Sequence, residues 1–210
     1  AHVEVTDGRI TSISPAGGTP TDPAADAAET IDGTGLVLAP GFIDPHTHYD
    51  AQLFWDPYAT PSNLHGVTSI VAGNCGFTLA PLVPGDGDYV RRMMAKVEGM
   101  PLDALENGVD WSWETFGDYL DRLEGNLGVN AGFMVGHCEL RRQVMGSGAV
   151  GSEADEAQID AMSELLAQAI DAGGLGFSTT LARTHSDGNG QPVASRWATQ
   201  EELLALATQV

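Results

Sequence analysis

The chain has 210 residues, with 29 Asp and Glu against 9 Lys and Arg, for a formal net charge of -20. An acid excess of that size argues against nucleic acid or an anionic membrane as a partner, since both demand basic surface. The acids are spread through sequence that is 42% hydrophobic rather than gathered in a tail, so a folded domain is expected and disorder is not.

Residues Ala1 to Ile13 read as a β-hairpin that turns at Asp7-Gly8. A loop rich in Pro, Gly, Ala and Asp follows from Ser14 to Ala28, and then a turn, Asp32-Gly33-Thr34-Gly35, leads into Leu36-Val37-Leu38. Residues 1–38 are expected to form the N-terminal part of a small β domain, with residues 39–210 as a second unit. Apolar runs with polar tips place strands at about 39–46, 67–74, 129–136 and 174–179. An insertion at about 77–127 carries Trp111, Trp113, Phe116, Tyr119 and Leu120, which are expected as helix-packing core. Arg91 to Glu98 reads as a polar helical stretch, and the only lysine, Lys96, as a solvated charge on it. Glu153 to Ala172 has the apolar spacing and acidic start of a helix, stopped by Gly173-Gly174.

The chemistry gathers at strand tips. In Gly41-Phe42-Ile43-Asp44-Pro45-His46-Thr47-His48 an apolar run ends in two histidines two residues apart. On extended backbone they share a face, and Pro45 rules against a helix interior. The pair either grips one metal or simply closes a strand near solvent. Cys75, between Gly73-Asn74 and Gly76, follows the next strand and is either a small core hydrophobe or a reactive thiol. Asp44 shares the histidines' face, and Asp50 and Asp56 either orient metal-bound imidazoles or cap helices. His137 ends the third strand as a buried, hydrogen-bonded residue or a pocket donor. Arg141 is its support or a partner for a substrate carboxylate. His185 lies in a Gly/Asn/Asp loop and is expected to be solvated. Two cysteines, one beside His137, give no disulfide framework and fit a reducing, cytoplasmic setting. No signal peptide or membrane-spanning run stands out.

Taken together, the runs Pro40 to Asp56, His65 to Ser69, Gly73 to Pro81 and Val135 to Arg141 resemble the N-acyl-D-amino-acid deacylase (D-aminoacylase) branch of the amidohydrolase superfamily. That resemblance implies an α/β fold, a (β/α)8 TIM barrel with a zinc site at the C-terminal ends of its strands. It implies His46, His48 and Cys75 as metal ligands, the cysteine standing where other members carry a bridging carboxylated lysine. It also implies zinc-dependent hydrolysis of the amide bond of N-acyl-D-amino acids, a small-molecule substrate, and leaves oligomerisation open. Ser178, in Gly176-Phe177-Ser178-Thr179, matches a block of that branch and joins Asp44, Asp50, His137 and Arg141 as a substrate-binding or ligand-supporting candidate. From Leu181 to Pro192 the sequence departs from the best-known members, so another linear or cyclic amide is the alternative substrate. A non-catalytic metal-binding barrel fragment is the alternative from a different class. A whole barrel takes about 250 residues, so roughly its first four strands are expected here. The remaining ligands and the general acid/base are then expected beyond Val210, and the chain is expected to be truncated at both ends and inactive alone.

Overall fold

The computed structural model of the chain describes residues 1–15 and 29–210. From residue 16 to residue 28, the expected loop lies outside the described residues. The chain divides into two compact units, Ala1–Pro40 and Gly41–Val210.

In the first unit, β1 (His2–Thr6) pairs antiparallel with β2 (Arg9–Ser14). Asp7 and Gly8 both take positive φ, 50° and 72°, the geometry that lets a two-residue turn match the right-handed twist of its strands. A register shift after Glu4 leaves Thr11 unpaired, and its hydroxyl donates to the Glu4 carbonyl. The turn at residues 32–35 forms as expected, closed by Leu36 N–H donating to Gly33 O, but Leu36, Val37 and Leu38 form no strand and are exposed.

The second unit is α/β with parallel strands. β3 (Phe42–Asp44), β4 (Val67–Ala72) and β5 (Asn130–Phe133) form one parallel sheet in that order. Past Met134 the third strand resumes as β6 (Val135–Gly136) and pairs in parallel with β7 (Phe177–Ser178). Met134 N–H still donates to Ala72 O, while Leu175 N–H donates to Phe133 O, so this strand passes from one neighbour to the next without losing its hydrogen bonds. All four expected strands form, each shorter than its apolar run.

The insertion folds into α1 (Gly87–Val97), α2 (Leu102–Gly108) and α3 (Phe116–Leu123). Thr115 and Asp118 form a reciprocal capping box that starts α3. Trp113, Phe116 and Tyr119 are buried as expected, and burying a side chain the size of Phe116 stabilises the fold by roughly 2–3 kcal/mol. Two polar anchors fix the cluster: Trp113 Nε1–H donates to Leu79 O at 2.8 Å, and the Tyr119 hydroxyl donates to Asp50 O at 3.2 Å. Lys96 is exposed. After β6 come α4 (His137–Met145), α5 (Glu156–Asp171), capped by Asp155 and Gln158, and, following β7, α6 (Gln200–Ala207), capped by Thr199. No helix among the described residues is long and apolar enough to cross a membrane.

Candidate metal centre

β3 ends at Asp44, so His46 and His48 stand on a bend beyond the strand and not, as expected, on its extended end. Their common orientation survives because Thr47 is buried between them. Its N–H and its hydroxyl both donate to Val71 O at 2.9 Å, which turns the flanking side chains the other way. The two rings lie 5.4 Å apart, centroid to centroid.

Cys75 reaches the same place from a turn of unusual backbone. Gly73 and Cys75 both adopt left-handed conformations, φ 75° and 57°, which for a residue with a Cβ costs about 1–2 kcal/mol. Gly73 is required there, because an added Cβ would sit 2.3 Å from Met134 O. The strained turn is held from two sides. Asn74 Nδ2 donates to Val71 O at 2.9 Å and to Thr47 O at 3.3 Å, tying the cysteine turn to the histidine bend. Ser178 Oγ, at the tip of β7, accepts from Gly76 N–H at 3.0 Å and donates to Gly73 O. Cys75 Sγ thereby comes within 3.4 Å of His46 Nε2, and one donor atom each from His46, His48 and Cys75 lies within 4.8 Å of the others.

The electrostatics suit a cation. Burial, with His46 and His185 nearby, pushes His48 down to about 4, which keeps its imidazole neutral with a lone pair to give. Burial and the Glu98 carboxylate push the Cys75 thiol up, so the thiolate is disfavoured until a positive charge arrives. Two imidazoles and a thiol form a borderline-soft set that fits zinc and other late first-row metals.

A sequence model of the amidohydrolase family matches residues 29–210. The chain belongs to the amidohydrolase family. D-aminoacylase of Alcaligenes xylosoxydans xylosoxydans is 40% identical over 181 residues, 86% of this chain and 33% of that protein. N-acyl-D-aspartate deacylase of the same organism is 41% identical over 156 residues, 74% of this chain and 29% of that protein. The solved structure of N-acyl-D-glutamate deacylase from Bordetella bronchiseptica, complexed with zinc and a phosphonate mimic of the tetrahedral intermediate, superposes with a TM-score of 0.72. That match has 30% identity and covers 99% of this chain and 38% of the other. The chain thus spans about a third of the length of the relatives it matches. Within the amidohydrolases its similarity runs to the deacylases of N-acyl-D-amino acids, as the motifs implied.

The other candidates in this amidohydrolase chain have different roles. His137 and Arg141 are fully buried in α4 and bind Glu202 of α6. His137 Nε2 donates to Glu202 Oε1 at 2.7 Å, leaving Nδ1 to accept from the Thr179 hydroxyl at 2.9 Å. Arg141 Nη1 donates to both Glu202 oxygens, and its Nη2 donates to Ser152 O at 2.6 Å. Of the readings open for each, the buried, hydrogen-bonded one describes His137, and Arg141 is paired with Glu202 rather than facing open space.

Asp44 accepts from the His46 backbone N–H at 3.2 Å and supports the bend rather than a ring. Asp56 is likewise local, receiving the Gln52 amide and the Thr60 backbone and hydroxyl. Asp50 is buried with no hydrogen bond to either histidine, and burial raises it to about 7. Cys138 is buried beside Ser195 and pushed up to about 12, an inert thiol.

His185 also departs from expectation. It is half-buried against Phe77, 5.1 Å between ring centroids, shares a hydrogen bond with Thr180 Oγ1 at 2.9 Å, and lies close enough to depress His48. Glu98 was passed over in the sequence because it reads as part of a polar helix, yet its Oε1 lies 3.3 Å from His48 Nδ1.

Proposed function

We propose that this chain supplies the first half of the metal site of a hydrolase that cleaves the amide bond of N-acyl-D-amino acids, with zinc as the metal. The observation that carries the reading is the convergence of His46, His48 and Cys75, from two strand tips, on one point. The parallel order β3, β4, β5/β6, β7, with donors after the C-terminal ends of the first two strands, supports reading these as the first four strands of a (β/α)8 barrel, where such folds build their active sites. When bound, zinc supplies Lewis-acid polarisation of the amide carbonyl and activation of water at neutral pH.

The chain's own residues hold and shape that site. His46 and His48 offer ring nitrogens and Cys75 its sulfur, while Asn74 and Ser178 fix the angle at which the sulfur arrives. His185, packed on the buried Phe77 and close to His48, lines the side of the site that a substrate would meet. With Arg141 sealed against Glu202, a substrate carboxylate must find another cation. The proton for the leaving amine is assigned to a residue outside these 210. Stoichiometric zinc uptake by this chain, and D-selective deacylation of N-acyl amino acids by a longer polypeptide carrying it, test the proposal. Equal hydrolysis of L-substrates, or turnover of cyclic amides alone, would replace the substrate class.

A further inference from the structure

We propose that Glu98 is the positioning residue of His48: its carboxylate accepts the Nδ1–H and commits Nε2 to the metal. This rests on the three-donor site described above and extends it to a side chain from the insertion, which approaches from outside both ligand-bearing turns.

The placement of Glu98 is unfavourable in every respect except one. On α1 the buried stripe runs through Val90, Met93 and Met94, and a residue seven or eight positions after Val90 falls on that same face. The helical period thus calls for an apolar residue where Glu98 stands, and its side chain is only 13% exposed. It also caps the C-terminus of α1, its N–H donating to Met94 O, at the end where the helix dipole disfavours a carboxylate. Among the described residues, His48 is the one basic group within ion-pair distance of it, while Asp50 and Cys75 are nearby acids. A divalent cation on the far side of the imidazole gives this buried carboxylate a countercharge, and a carboxylate on Nδ1 raises the basicity of Nε2. Histidine ligands commonly use their second nitrogen in this way.

His48 Nδ1 is buried without another hydrogen-bond partner, and the Glu98 carboxylate stands 3.3 Å from it. Two measurements on the 210-residue chain test the assignment. Two-bond proton–nitrogen correlation spectra of the metal-free protein should show His48 protonated at Nδ1. That preference should weaken in Glu98→Ala but persist in Glu98→Gln, which keeps an acceptor oxygen. Competition with a chromophoric chelator should then show zinc affinity falling about 10–100-fold in Glu98→Ala and less in Glu98→Gln. A wild-type ring protonated at Nε2, or a Glu98→Ala chain with the wild-type tautomer and affinity, overturns the proposal. Failure of the wild-type chain to take up zinc would count against the three-donor site instead, and the tautomer, read without metal, would still decide the role of Glu98.

Discussion

The molecule carries two histidine clusters at strand ends, and they differ in what is left unpaired. At the tip of β6, His137 meets Glu202, which also takes Arg141, and every member is buried with a partner. At the tips of β3 and β4, His46, His48 and Cys75 bring one potential ligand atom each to a single point. The first cluster holds a salt bridge and is complete in itself. The second is stable only as a receptacle, and its neighbours are arranged to hold the donors in place rather than to satisfy them. A histidine at a strand tip is therefore not informative by itself; the charge of what it faces decides whether it is structural or ligating.

Substitutions should separate the two clusters. The largest effect is expected for Arg141→Ala, which leaves Glu202 charged and buried. A loss of about 3–5 kcal/mol in urea unfolding is predicted, with zinc uptake intact in the folded fraction. A loss below 1 kcal/mol would mean that the sealed network contributes little. Cys75→Ala should do the reverse. Zinc affinity should fall beyond the roughly 100-fold seen for outer partners, while stability stays close to wild type, since alanine keeps the Cβ in the same left-handed turn. Unchanged zinc content in that variant would make Cys75 a core residue.

Ser178→Ala lies between the two. Removing the hydroxyl strands Gly76 N–H and Gly73 O, costing about 1–3 kcal/mol, and it should also loosen the cysteine turn enough to weaken zinc binding measurably. A stability loss with no change in affinity would show that the turn keeps its shape without the clip.

A separate contrast is expected in pH dependence. Burial holds Glu139 at about 8, against an ordinary value of 4.5, although Thr78 donates to one of its oxygens. The native state therefore keeps a proton that the unfolded chain gives up. The stability this contributes is full below about 4.5 and is lost as pH rises toward about 8. In Glu139→Gln the decline of unfolding free energy across that window should be shallower. An equal slope in both proteins would show that Glu139 is solvated in solution.

Much of this was legible in the sequence because the signals are local. The Asp7-Gly8 turn, the four apolar runs, the capped helix from Glu156 and the buried aromatics of the insertion depend on periods of two and 3.6 residues and on turn chemistry a few residues long. The two-residue spacing of His46 and His48 determined a shared face, and Thr47 preserved it even where the strand had ended. The sequence could not assign Arg141, because Glu202 lies 61 positions away on another helix, and only packing brings the two together. Nor could it place Glu98 or His185 beside His48, since one reads as a solvated helical acid and the other as a loop residue until α1 and the strand-four loop are folded around the site. Residue type and spacing settled which atoms are able to bind a metal; which of them are free to do so was decided by tertiary structure, because availability depends on charge partners and burial contributed by distant segments.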